Sequence, residues 1–121
     1  MTIGHIGVEP EGEIVVLVLH GEHDLSTAPD VRTEVDRAVG SGRDVIVDLS
    51  ATEFIDSSIL GVLVAGYRAV NGTAEGDRTF AVVAEPGGPV TRLFDLVAIS
   101  DLIQVYPTRA AAVDAVNGSD R

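Results

Sequence analysis

Apolar residues come in short runs separated by polar, glycine- and proline-bearing segments, and the runs alternate between two periods. Ile6 to Glu9 and Ile14 to His20 read as two strands joined by a turn at Pro10-Glu11-Gly12. The second, Ile14-Val15-Val16-Leu17-Val18-Leu19, is unbroken and rich in β-branched residues, the pattern of a strand buried on both faces. Gly21-Glu22-His23-Asp24 reads as a loop. Ala28, Val31, Val35, Ala38 and Val39 then recur at helical spacing, with Arg32, Glu34, Asp36 and Arg37 off that face. Ser26 or Thr27 is placed to cap this helix, Pro29 is tolerated in its first turn, and Gly40-Ser41-Gly42 ends it. Asp44 to Leu49 is a central strand. Ser50 to Ile55 reads as a loop into a helix over Ser57 to Val70, stopped by Asn71-Gly72. Thr79 to Ala84 is a further strand, and Pro86-Gly87-Gly88-Pro89 is a turn that opens a helix over Val90 to Leu96. Leu102 to Tyr106 is a short edge strand, because Pro107 cannot extend the ladder; Thr108 caps a last helix, Arg109 to Val116.

The order β-β-α-β-α-β-α-β-α predicts an α/β fold. One antiparallel hairpin precedes right-handed β–α units, giving a mixed sheet of about five strands with about four helices. The 121 residues carry no repeat and no linker, so the expectation is one domain over 1–121. No apolar run approaches the roughly 20 residues of a membrane helix. The longest, Ile59 to Tyr67, contains Gly61 and Gly66. Met1-Thr2-Ile3-Gly4-His5 lacks the basic and apolar regions of a secretory signal, so a cytoplasmic protein without membrane insertion is expected.

Charge narrows the partners. Nineteen acidic residues stand against eight basic ones, all arginine, for a formal net charge of −11. Such a surface repels phosphate backbones, so no nucleic-acid binding is expected. There are no cysteines, which removes disulfides and thiolate metal sites. His20, His23 and Asp24 lack the spacing of a helical metal pair, and no Walker or dinucleotide glycine motif is present, so no metal and no cofactor is expected. Ile55 and Ile59 stand where a hydrolase elbow around Ser57 needs glycines; no catalytic residue is assigned and no enzyme is expected.

The densest chemistry lies at Asp56-Ser57-Ser58, at the start of the predicted Ser57–Val70 helix. A helix N-terminus has unpartnered N–H groups and the positive end of the dipole, so it favours an anion. Serine and aspartate there often serve only as caps. Since Asp56 can cap alone, the serine hydroxyls are left without a structural role. Behind them Ile59, Leu60, Val62 and Leu63, with Val64 and Ala65, cover most of the helix circumference. Either the helix packs tightly on the sheet, with its glycines admitting another backbone, or it presents a docking face.

These residues resemble the stand-alone STAS domains that act as anti-sigma-factor antagonists in bacteria. The resemblance runs from about Ile14 to Val116. It is carried by Gly21-Glu22-His23-Asp24, by Val47-Asp48-Leu49 with Phe54-Ile55-Asp56-Ser57-Ser58 and Leu60-Gly61, and by Arg92-Leu93-Phe94-Asp95. It implies partner switching. An anti-sigma factor with GHKL-type serine kinase activity would bind the unmodified protein, releasing a sigma factor, and would phosphorylate Ser57. A PPM-type serine phosphatase would reset it. Asp24, Asp56 and Ser58 would support the phosphosite, and Glu22, His23, Ile59, Leu60, Val62 and Leu63 would meet the partner. The chain departs from the family at Ile59, where glycine is common, which adds apolar bulk beside the phosphoacceptor. The alternative is a STAS adaptor that is never phosphorylated and docks to a regulatory scaffold or a transporter ATPase.

Overall fold

The computed structural model describes residues 4–71 and 78–118. The expected helix stop at Asn71-Gly72 and the start of the N-terminal segment therefore lie partly outside the described residues. The elements are β1 (His5–Glu11), β2 (Ile14–His23), α1 (Ala28–Gly40), β3 (Asp44–Asp48), β4 (Thr52–Ile55), α2 (Ser57–Asn71), β5 (Phe80–Val83), α3 (Pro89–Val97), a 3-10 turn (Ile99–Asp101), β6 (Gln104–Tyr106) and α4 (Arg109–Gly118). The sheet runs β1-β2-β3-β5-β6 and β4 also pairs with β2. Among the described residues only the β1–β2 pair is antiparallel.

Sheet alternation builds two cores. Leu17 and Leu19, Val45 and Val47, Phe80 and Val82 point to one face, where α1, α2 and α3 cover them. Val16 and Val18, Ile46, Ala81 and Val83 point to the other, where α4 supplies Ala112 and Val116. The unbroken apolar strand is thus buried on both sides, as its composition predicts.

Two segments differ from the sequence reading. Gly21-Glu22-His23 is not loop but the far end of β2, and Thr52-Glu53-Phe54-Ile55 is a sixth strand. They pair with each other, in parallel, after a register shift at Gly21/Glu22. Gly21 adopts φ 80°, which a side chain would resist, and so allows the bulge. The Gly21 N–H donates to the Ala51 carbonyl (3.1 Å), and the Thr52 hydroxyl donates to the Leu19 carbonyl (2.7 Å). This second pairing fixes the segment that leads into α2.

The α2 helix is the central helix on its face. Ile59 and Leu63 are fully buried, and Leu60, Val62, Gly66 and Val70 are buried with them. A Cβ on Gly66 would stand 2.7 Å from Val35 Cγ1 and 2.8 Å from Phe80 Cε2, so this glycine lets α1 and β5 close in; a Cβ on Gly61 would meet nothing within 4 Å. No helix among the described residues is long and apolar enough to cross a membrane.

At the rim, Asp48 is buried and its Oδ2 accepts from Arg109 Nε (3.1 Å), while Arg109 also donates to Glu9 (2.7 Å). Thr108 caps α4, its Oγ1 accepting from the Ala111 N–H (3.1 Å).

Candidate functional site

The site is built where β4 hands the chain to α2. Asp56 is the cap: its Oδ1 accepts from the Ser58 N–H (2.9 Å) and the Ile59 N–H (3.3 Å). Two of the helix's orphan donors are thereby satisfied by one carboxylate oxygen. Its Oδ2 reaches sideways and accepts from the Leu25 N–H (3.1 Å), which ties the loop after β2 to the helix start.

Ser57 occupies the first helical position and is exposed. Among the described residues nothing hydrogen-bonds its hydroxyl. Ser58 is half-buried and its backbone belongs to the Asp56 cap.

The tethered loop is ordered by its own polar groups. Asp24 Oδ1 accepts from the Ser26 N–H (2.9 Å) and from the Ser26 hydroxyl (2.6 Å). The Ser26 hydroxyl, followed by its backbone N–H, holds the Asp24 carboxyl below the usual carboxylate range. Thr27 starts α1, yet its hydroxyl does not cap that helix: it turns back to the Asp24 N–H (3.1 Å) and the Asp24 carbonyl (3.2 Å). The Asp24 carbonyl also accepts from the N–H groups of Thr27 (3.0 Å) and Ala28 (2.9 Å).

His23 is a core pin, not a partner-facing side chain. It is 1% exposed, with Nε2 3.0 Å from the His20 carbonyl and 3.3 Å from the His5 carbonyl. Carbonyls only accept, so Nε2 carries the proton. Nδ1 lies 3.1 Å from the Thr27 hydroxyl. The ring therefore links β1 and β2 to the Asp24 loop. Beside it the rings of His5 and His20 stack, 4.4 Å between centroids.

The apolar residues expected to meet a partner are likewise corrected by burial. Ile59 and Leu63 are 0% exposed, Val62 7% and Leu60 8%. The helix turns them to the sheet and to α1, so the bulk of Ile59 points into the core, away from the Ser57 hydroxyl. Glu22 stays half-buried, paired in register with Phe54.

What sequence reasoning missed are the apolar residues that do reach solvent here: Leu25, 73% exposed, and Phe54, 48% exposed. Leu25 donates to Asp56, and Phe54 precedes it by two residues, so both flank the helix start. A leucine alone within the polar run Glu22 to Thr27 was the available signal. The described residues include no group of three or more histidine, aspartate or glutamate side chains arranged for a metal.

The chain resembles known proteins over most of its length. The model of the STAS domain family matches residues 5–112. A relative from Paenibacillus polymyxa, an anti-sigma F factor antagonist, is 27% identical over 110 residues, covering 89% of this chain and 91% of its own length. Among solved structures, an anti-sigma factor antagonist from Mycobacterium paratuberculosis superposes with a TM-score of 0.84 at 28% identity, over 95% of each chain. The Bacillus cell fate determinant SpoIIAA in its phosphorylated form shares the fold, with a TM-score of 0.65 at 22% identity over 93% of this chain and 99% of that one.

Proposed function

The chain belongs to the STAS domain family, and from that premise we propose that it is an anti-sigma-factor antagonist switched by phosphorylation of Ser57. The relatives from Paenibacillus and Mycobacterium support the broader role. The observation that carries the switch is the division of labour at the helix start. Asp56 satisfies the cap, and Ser57, one residue on, offers an exposed hydroxyl with no partner among the described residues.

The unmodified protein binds an anti-sigma factor with GHKL-type serine kinase activity, which releases the sigma factor. The kinase transfers a phosphoryl group to the Ser57 hydroxyl, and a PPM-type phosphatase removes it. Phosphate adds about −1.5 to −2 charges. The positive end of the helix dipole tolerates that charge, so the fold persists. A docked partner does not tolerate it. The dianion would be covered beside the Asp56 carboxylate, near Asp24, and an unpaired buried charge costs several kcal/mol. Since about 1.4 kcal/mol is a factor of ten, a loss of roughly two decades in affinity follows without a change of shape. Leu25 and Phe54, exposed on either side, supply apolar contact for the unmodified complex.

The test pairs the purified chain with a candidate anti-sigma factor that carries a GHKL-type kinase domain. Ser57→Ala keeps its affinity and takes up no phosphate, Ser57→Asp binds about a hundredfold more weakly, and Ser58→Ala still accepts phosphate at residue 57. Tight binding by Ser57→Asp together with phosphate mapped elsewhere would refute the assignment. Binding that never leads to phosphorylation would point to the adaptor role.

A further inference from the structure

We infer that the outer face of α2 and α3 is an interface between two copies of this chain. This proposal does not depend on phosphorylation of Ser57.

An open groove of about 570 Å³ runs between α2 and the end of α3. Gly61, Val64, Ala65 and Arg68 line one side; Val97 and Leu102 line the other. Arg68 is its one charged lining residue, and among the described residues it has no ion pair. Gly61 forms part of the floor. Unlike Gly66, which α1 and β5 crowd, it has open space where a Cβ would be. A glycine weakens a helix interior, so a bare backbone there is best explained by something that approaches from outside.

The complement of this groove lies on the same molecule. Beside it rises a ridge carrying Leu96, 83% exposed, and Val97, 50% exposed. Ala98 ends α3 there with φ 54°, in the left-handed region that alanine resists, its N–H donating to the Phe94 carbonyl. Asp95 and Asp101 flank the ridge, exposed and without ion pairs among the described residues. An apolar knob with acidic neighbours thus stands next to an apolar hole with a cation at its edge. A two-fold axis between two copies places each knob in the other's hole and each Arg68 near the other's acids, the self-complementary arrangement that closes as a dimer. The charge match favours a second copy over a partner of unspecified surface.

Sedimentation equilibrium of the full chain, from micromolar to millimolar, tests this at physiological salt, where repulsion between two acidic copies is screened beyond roughly 8 Å. A monomer–dimer equilibrium is expected. Gly61→Leu puts bulk into the open hole, where a Cβ meets nothing within 4 Å, and leucine favours a helix, so the variant stays folded yet its dimer dissociation constant rises by about tenfold or more. Leu96→Asp acts in the same direction. Arg68→Glu weakens the dimer, and combining it with Asp95→Arg or Asp101→Arg restores it. A wild type that stays monomeric throughout overturns the inference, as does a dimer that Gly61→Leu leaves unchanged, or a charge reversal that neither second substitution rescues. A monomer that binds 1-anilinonaphthalene-8-sulfonate only while Gly61 is present would assign the groove to a small apolar molecule and overturn the second copy equally.

Discussion

Asp24 illustrates how a single serine sets the chemistry of a loop. The Ser26 hydroxyl and N–H hydrogen-bond the ionised carboxylate, so its folded-state pKa is depressed. A depressed acid contributes stability above its unfolded pKa and loses it as pH falls through the folded one. The loop's order is therefore present at neutral pH and fades in acid. Ser26→Ala removes the largest cause. The Asp24 pKa should rise toward the ordinary carboxylate value in a carbon-detected NMR titration, and the loop should loosen at a higher pH than in the wild type. An unchanged titration would mean that the backbone contacts alone hold the carboxylate. At this scale the sequence was partly legible. Asp56-Ser57-Ser58 announces a cap followed by a spare hydroxyl, because local spacing is enough to define both. The role of His23 was not, because Gly21 to Asp24 reads as a loop, whereas His23 ends β2 and makes its contacts with His5, His20 and Thr27.

The two glycines of α2 are the sharpest case at the scale of an element. Both sit in a helix interior, where glycine costs about 1 kcal/mol against alanine, and the sequence cannot tell them apart. The structure does. Gly61→Ala should stabilise the protein by about 1 kcal/mol, since nothing stands near the new methyl. Gly66→Ala should destabilise it by about 1–3 kcal/mol, since the methyl would overlap buried Val35 and Phe80. Urea denaturation of the pair checks the opposite signs; two shifts of the same sign would contradict the packing described. The apolar run Ile59 to Ala65 predicts a helix correctly, but its circumference suggested a docking face. Burial takes most of that circumference, because α2 lies over the sheet and beside α1, and the strip through Gly61, Val64, Ala65 and Arg68 faces outward. The β4 strand was illegible for a different reason. Four residues with a glutamate and an exposed phenylalanine carry no period, and they become a strand only through the bulge at Gly21.

Across the whole molecule, the parallel order of the sheet and its helical cover followed from the alternation of apolar runs, whereas the fastening of its ends did not. Arg109 on the last helix bonds Asp48 in the centre and Glu9 on the first strand. Asp48 is 4% exposed at its side chain and Glu9 52%, so the two bonds are unequal. Arg109→Ala leaves a buried carboxylate without its cation. With the guanidinium itself a third exposed and Ser50 still donating to Asp48, the loss should be about 1–3 kcal/mol. Glu9→Ala removes an exposed bond and should cost at most about 1 kcal/mol. Equal losses in thermal or urea unfolding would place the weight of the clamp on Glu9 instead.

The same clamp imposes an order on synthesis. Asp48 is made and its strand can pair long before residue 109 leaves the ribosome, so for that interval its carboxylate has no guanidinium to meet. A nascent chain halted short of the last helix would carry that acid with only Ser50 for company and leave the α4 face of the sheet bare. The ten-residue helix α4 thus closes this face of the sheet: a fragment truncated before it should be cleaved by proteases faster than a chain that contains it.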